Sequence, residues 1–103
     1  LAQRLGLHAK SVLDGQVGVV EMGEGPETFG ILTHVDVVSP GDLDQWDTEP
    51  FRAVLKDGKL FGRGTLDDKG MIIAALYAMR AVLASGTALH KKVHRDPGGG
   101  AVE

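Results

Sequence analysis

The sequence predicts an α/β fold, and three observations carry that expectation. Residues 29–38 (Phe-Gly-Ile-Leu-Thr-His-Val-Asp-Val-Val) form a near-continuous apolar run, the pattern of a strand buried on both faces of a central sheet. Residues 71–84 set Ile72, Ile73, Leu76, Tyr77, Met79, Val82 and Leu83 almost all round a helix, which predicts a helix that is buried and not half exposed. Between them Asp57-Gly58 separates two short extended segments, a good hairpin-turn signal. Strand, hairpin and buried helix in that order, with no internal repeat and no linker, make an α/β arrangement.

Taken from the start, residues 1–13 place apolar side chains at Leu1, Leu5, Ala9 and Val12-Leu13. That is a helical rhythm, weakened by Gly6 and stopped by Asp14-Gly15. Residues 16–22 read as a strand through Val17, Val19 and Val20, and Gly23-Glu24-Gly25-Pro26-Glu27 as a turn. After the strand at 29–38, residues 39–50 form a loop in which Asp42, Asp44, Asp47 and Glu49 surround Trp46. Residues 52–55 and 59–61 are the arms of the hairpin. Gly62-Arg63-Gly64 then leads through Thr65-Leu66-Asp67-Asp68-Lys69-Gly70 into the helix, which Ser85-Gly86 ends.

Composition narrows the classes of function. Eleven Lys and Arg against fourteen Asp and Glu leave a net charge of −3 over 103 residues. Nucleic-acid and anionic-membrane surfaces need clustered positive charge, so no nucleic-acid or membrane partner is expected. The longest uncharged apolar run, around residues 71–79, falls far short of the roughly 20 residues of a membrane span. The absence of cysteine excludes disulfides and thiolate metal sites within the sequence; with no basic-then-apolar leader visible, a cytoplasmic location is expected. Any metal must be held by His, Asp or Glu. The opening at Leu1 without an initiator Met, and the closing Asp96-Pro97-Gly98-Gly99-Gly100-Ala101-Val102-Glu103, read as a piece of a longer protein.

Two features could carry chemistry. In His34-Val35-Asp36, period-two alternation puts His34 and Asp36 on one face of a strand. A neutral imidazole can bind a metal through one nitrogen while its other N–H donates to a carboxylate that fixes its tautomer and tilt. A strand-end histidine paired with an acid for structure alone accounts for the same residues. The doublet Asp67-Asp68 precedes the helix, where Asp68 is expected to cap free N–H groups. Capping leaves Asp67 unexplained, and a carboxylate can bridge two divalent cations of the zinc, manganese or cobalt kind.

Other motifs lead less far. Residues 62–70 lack the Lys-Ser/Thr order of a phosphate loop, and two aspartates would repel phosphate. The acids at 42–49 miss calcium-loop spacing and read as a solvated loop face. His90 and His94 have i, i+4 spacing but follow the helix stop, and His8 has no sequence partner and reads as a surface residue. Trp46 with Pro50-Phe51 reads as a loop anchor.

The order His34-Val35-Asp36-Val37-Val38, Trp46…Pro50-Phe51, Asp57-Gly58-Lys59-Leu60-Phe61-Gly62-Arg63-Gly64-Thr65-Leu66-Asp67-Asp68-Lys69-Gly70 and Ala74-Ala75-Leu76 resembles the di-zinc metallopeptidase family 20. That family contains dipeptidases, carboxypeptidases, aminoacylases, acetylornithine deacetylase and succinyl-diaminopimelate desuccinylase. The Gly-Arg-Gly-Thr-Leu-Asp-Asp-Lys-Gly run looks most like its bacterial dipeptidase branch, and the resemblance runs from about Leu5 to Val93. It implies a truncated part of a three-layer α/β/α catalytic domain with a mixed central sheet, spanning residues 1–94 and followed by a divergent Gly-rich tail at 95–103.

Residue by residue, the resemblance implies that His34 is a ligand to one metal, Asp36 the acid that orients it, and Asp67 the carboxylate bridging two metals. Asp68 matches the helix-start residue, and the bond after Asp67 matches one that is cis in the family. The implied cofactor is a pair of zinc ions, with manganese or cobalt as alternatives, and the implied substrate a dipeptide or an N-acyl amino acid. The implied reaction is amide hydrolysis by a metal-activated water. The family continues through an apolar strand to a Glu-Glu doublet, which would fall near Ala101-Val102-Glu103. Residues 95–103 contain neither strand nor doublet, so Glu103 takes neither role and the chain alone is expected to be inactive. Deacylase or carboxypeptidase roles are alternatives within the family, and a non-catalytic remnant is the alternative outside it.

Overall fold

The computed structural model describes residues 1–98, with side chains through residue 94. Residues 99–103, Glu103 among them, lie outside the described residues. Six strands and one helix follow in order: β1 (His8–Val12), β2 (Val17–Met22), β3 (Thr28–His34), β4 (Val54–Lys56), β5 (Lys59–Phe61), α1 (Lys69–Ser85) and β6 (Lys92–Gly98). Four of the strands form a mixed sheet in the order β1-β2-β6-β3, while β4 and β5 pair as a separate hairpin. Strands β1 and β2 are antiparallel, β2 and β6 antiparallel, and β6 and β3 parallel. Leu76 and Met79 of α1 pack with Leu7, Val20 and Met22 to make the core, flanked by Leu5, Ala9, Ile72, Leu89 and Val93.

The hairpin forms where Asp57-Gly58 predicts it. Both turn residues have positive φ (51° and 72°), the geometry whose twist matches that of the flanking strands. The helix starts within two residues of its expected start and ends at Ser85, where Gly86 closes it in the left-handed conformation.

The N-terminal helix expected over residues 1–13 does not form. A single 3-10 turn spans Gln3–Leu5, Gly6 ends it at φ 75°, and β1 then pairs with β2 from His8↔Glu21 to Val12↔Val17. Within β1 only Ala9 and Val12 are partly buried, so main-chain pairing with β2, and not apolar periodicity, fixes the strand, while Leu7 enters the core just before it.

Two burial expectations also fail among the described residues. Strand β3 lies at the sheet edge with Leu32 76% exposed, and it ends at His34, the last residue paired with β6. Helix α1 buries Leu76 and Met79 but leaves Met71, Tyr77 and Leu83 about half exposed, because only one side of it meets the sheet. The apolar character of both elements exceeds what these neighbours cover.

Strand β6 continues where no apolar strand is expected. Its pairing with β3 runs through Arg95, Asp96 and Pro97 to His34↔Gly98. Ladder bonds use the main chain, so polar residues are admitted. Pro97 lies beyond Arg95, the last position paired with β2, where β6 has a partner on one side only, as an edge strand does.

Candidate metal centre

His34 ends β3, and residues 62–68 cross from β5 to the start of α1 beside it. The His34 backbone N–H donates to the Asp68 carboxylate at 3.2 Å. The Asp67–Asp68 peptide bond is cis. The Nε2 of His34 lies 3.2 Å from Oδ1 of Asp67, and its Nδ1 lies 3.2 Å from the Asp36 carbonyl and 3.3 Å from the Asp36 carboxylate. The structure therefore brings His34, Asp36 and Asp67 together, although 31 residues separate the last two in sequence. The His34 ring and the Asp67 carboxylate are both open to solvent, at 43% and 83% exposure.

Asp68 corrects the capping expectation. It occupies the position before α1, but its side chain makes no bond to the helix N–H groups. Its carboxylate ties the helix start to the end of β3 instead. The turn is further held by the Thr65 hydroxyl donating to the Gly62 carbonyl at 2.9 Å, and by Lys69 N–H donating to the Gly64 carbonyl at 3.1 Å. At Gly64 (φ 86°) a Cβ would stand 2.6 Å from Val37 Cγ1, so only glycine lets the two segments meet so closely.

Arg63 is the residue that sequence reasoning missed. Its Nη2 donates to the Pro40 carbonyl at 3.3 Å, the acceptor that Trp46 Nε1 also uses at 2.9 Å. Its guanidinium carbon lies 5.0 Å from the centre of the Trp46 ring. Trp46 is thus the loop anchor its context suggests, and Arg63 is what it anchors to. The signal was a lone arginine between two glycines, a spacing that lets an arginine enter a tight turn but does not say what it meets.

The remaining candidates lie elsewhere. Asp42 and Glu49 accept from the backbone N–H groups of Asp44 and Phe51 and only shape the loop. His94 sits on β6 with Nδ1 3.2 Å from Glu21, His90 is exposed in the approach to that strand, and His8 is exposed on β1.

The chemistry of the donor set bears on whether a metal fits. Both ring nitrogens of His34 face only oxygen acceptors, and a neutral imidazole has one N–H to give. The second nitrogen needs either another proton or a cation. Without a cation the ring holds its proton more tightly than usual, chiefly through the Asp36 carbonyl and then through the charges of Asp36 and Asp67. A separation of 3.2 Å lies just below the roughly 3.3–3.6 Å between neighbouring tetrahedral ligands with bonds of about 2.0–2.2 Å to one zinc. The two donors fit a cation but do not complete a site, since no group of three or more His, Asp or Glu suited to a metal occurs among the described residues. A cavity of ≈ 220 Å³ lined by His34, Asp36, Arg63, Thr65 and Asp67 opens beside them.

The family described as peptidase family M20/M25/M40 matches residues 30–94, a span that holds His34, Asp36, Asp67 and Asp68. The protein named "Putative dipeptidase YtjP" from Bacillus subtilis is 43% identical over 93 residues, covering 90% of this chain and 19% of its own length. A Staphylococcus saprophyticus protein of the same description is 45% identical over 94 residues, or 91% of this chain and again 19% of its own. This chain thus spans about a fifth of the curated relatives it matches. Among solved structures, human carnosine dipeptidase 1 superposes with a TM-score of 0.71 at 33% identity, over 95% of this chain and 24% of its own. The M20 family metallo-carboxypeptidase Sso-CP2 from Sulfolobus solfataricus gives 0.79 at 26% identity, over 95% and 23%. No helix among the described residues is long and apolar enough to cross a membrane. With the His34 and Asp67 segments inside the matched span and the fold shared over nearly all of its length, the chain belongs to peptidase family M20/M25/M40.

Proposed function

We propose that this chain is the part of a cytoplasmic dipeptidase-type metallohydrolase that supplies His34 and Asp67 to a two-metal centre. The observation that supports the reading best is the His34 ring, set between Asp36 and Asp67 with oxygen acceptors at both nitrogens. With a cation at Nε2, Nδ1–H would donate to Asp36 and so set the tautomer and tilt of the ring. Asp67 would supply the second ligand and is the carboxylate available to a neighbouring cation. Asp68 keeps the two segments in register through the His34 N–H. Zinc is the proposed cation, with manganese and cobalt as alternatives. When bound, such ions polarise a scissile carbonyl and lower the pKa of water.

A dipeptide is the favoured substrate, because the curated relatives at 43–45% identity carry dipeptidase names. An N-acyl amino acid or the C-terminal residue of a peptide is the alternative, the latter favoured by the likeness to a metallo-carboxypeptidase. Titration with Co²⁺, followed by its visible absorption, tests the centre. Binding should be saturable and lost in His34→Ala and in Asp67→Asn. Binding that survives both substitutions, or no binding at all, would leave the non-catalytic reading in place.

A further inference from the structure

A second cavity, of ≈ 290 Å³, lies between the β4–β5 hairpin and the first turn of α1, and it shares residues 62–65 with the cavity at His34. Its chemistry is the opposite. Arg52, Arg63 and Lys69 line it, and among the described residues no aspartate or glutamate does. Neither Arg52 nor Lys69 has a side-chain hydrogen bond or ion pair among the described residues. Arg63 is held in place by the Pro40 carbonyl and the Trp46 ring, so its charge is fixed beside the cavity. The first turn of α1 contributes Gly70 as well as Lys69, adding the positive end of a 17-residue helix. The rest of the wall includes Phe51, Leu60 and Ile73, all partly open to solvent.

Three cations line one cavity with no acidic side chain among its described lining, and that concentration of positive charge favours an anion there. The apolar wall selects among anions, since a fully hydrated ion gains nothing from Phe51, Leu60 or Ile73. We propose that this cavity binds a small organic carboxylate carrying an apolar group, its head among Arg52, Arg63 and Lys69 and its tail on the three apolar side chains. The proposal stands on this cavity alone and does not depend on metal binding at His34.

Trp46 provides the probe, being the sole tryptophan and stacked on Arg63. The 103-residue chain is titrated with hexanoate while Trp46 fluorescence is followed. A saturable change is expected, with hexan-1-ol (the tail without the charge) and acetate (the charge without the tail) each binding at least about tenfold more weakly. The double variant Arg52→Gln/Lys69→Gln, which removes no side-chain hydrogen bond or ion pair among the described residues, should weaken hexanoate by about tenfold or more with an unchanged urea midpoint. The absence of a saturable hexanoate response, an equal response to hexan-1-ol or to acetate, or hexanoate binding undiminished in the double variant, would each overturn the proposal.

Discussion

Asp36 touches the His34 ring twice, through its carbonyl at 3.2 Å and its carboxylate at 3.3 Å. The two contacts predict a graded response to substitution. Asp36→Ala removes the carboxylate but keeps a carbonyl at the same position in the chain, so Nδ1–H retains one acceptor. Loss of a partner that orients a metal-binding histidine typically costs about 10–100-fold in affinity, and the surviving carbonyl places this variant near about tenfold. His34→Ala, which removes the donor itself, should abolish Co²⁺ binding. Equal loss in the two variants, measured by calorimetric titration, would mean that the carbonyl contributes nothing. At this scale the sequence was readable in part. Period-two alternation expects His34 and Asp36 on one strand face, but β3 ends at His34 and Asp36 meets the ring from beyond it, while the link to Asp67 came from the family's motif order. Asp68 reads as a helix cap by position, while its carboxylate answers to a backbone N–H 34 residues away. Long-range partners of this kind leave no trace in spacing.

Helix α1 and the sheet each carry a prediction of their own. Alanine exceeds glycine in helix propensity by about 1 kcal/mol, so Gly70→Ala looks stabilising on that ground alone. At Gly70, however, a Cβ would stand 2.3 Å from the Thr65 carbonyl oxygen, which is backbone and held within the turn that carries Asp67. Overpacking of this kind costs about 1–3 kcal/mol and should outweigh the gain, lowering the urea midpoint at constant slope. In the sheet, Glu21 on β2 draws Lys92 at 2.6 Å and His94 at 3.2 Å from β6, and Lys10 at 3.2 Å from β1. Lys92 above all, then Lys10 and His94, hold its carboxyl down to about 2. Because the folded value lies below the unfolded one, this stabilisation is fully present above about pH 4.5 and is lost as pH falls towards 2. The difference in urea midpoint between the original chain and Glu21→Gln should therefore be full near pH 6 and fall to a small fraction near pH 2. A difference undiminished at pH 2 would assign the effect to packing. Elements with their own punctuation were legible: β2, the Asp57-Gly58 hairpin and α1 up to Gly86. Strand β1 was not, because His8–Val12 has only Ala9 and Val12 as apolar residues and its pairing with β2 is a main-chain property. Strand β6 was missed beyond Arg95 because its pairing is a main-chain property that Asp96-Pro97-Gly98 does not advertise.

For the molecule as a whole, area decides how well the chain stands alone. Among the described residues the sheet has an open edge at β3, and Leu32, Met71 and Tyr77 are apolar residues more than half exposed. Uncovered edges and apolar patches favour self-association, so sedimentation should show a mass that rises with concentration. A constant monomer mass would show that the exposed faces are tolerated. The same incompleteness bears on activity. A catalytic zinc usually has three protein ligands besides water, while His34 and Asp67 are the two donors that converge here among the described residues. No described carboxylate is placed to take a proton from an attacking water, because Asp36 and Asp68 are engaged with the ring and the backbone of His34. A positioned base contributes about 10²–10⁴ in rate. The 103-residue chain should therefore bind Co²⁺ or Zn²⁺ yet show no metal-dependent turnover of a dipeptide panel. Turnover that appears with metal and disappears in His34→Ala would refute this, and would require a second copy, paired along the open edges, to complete the ligand set.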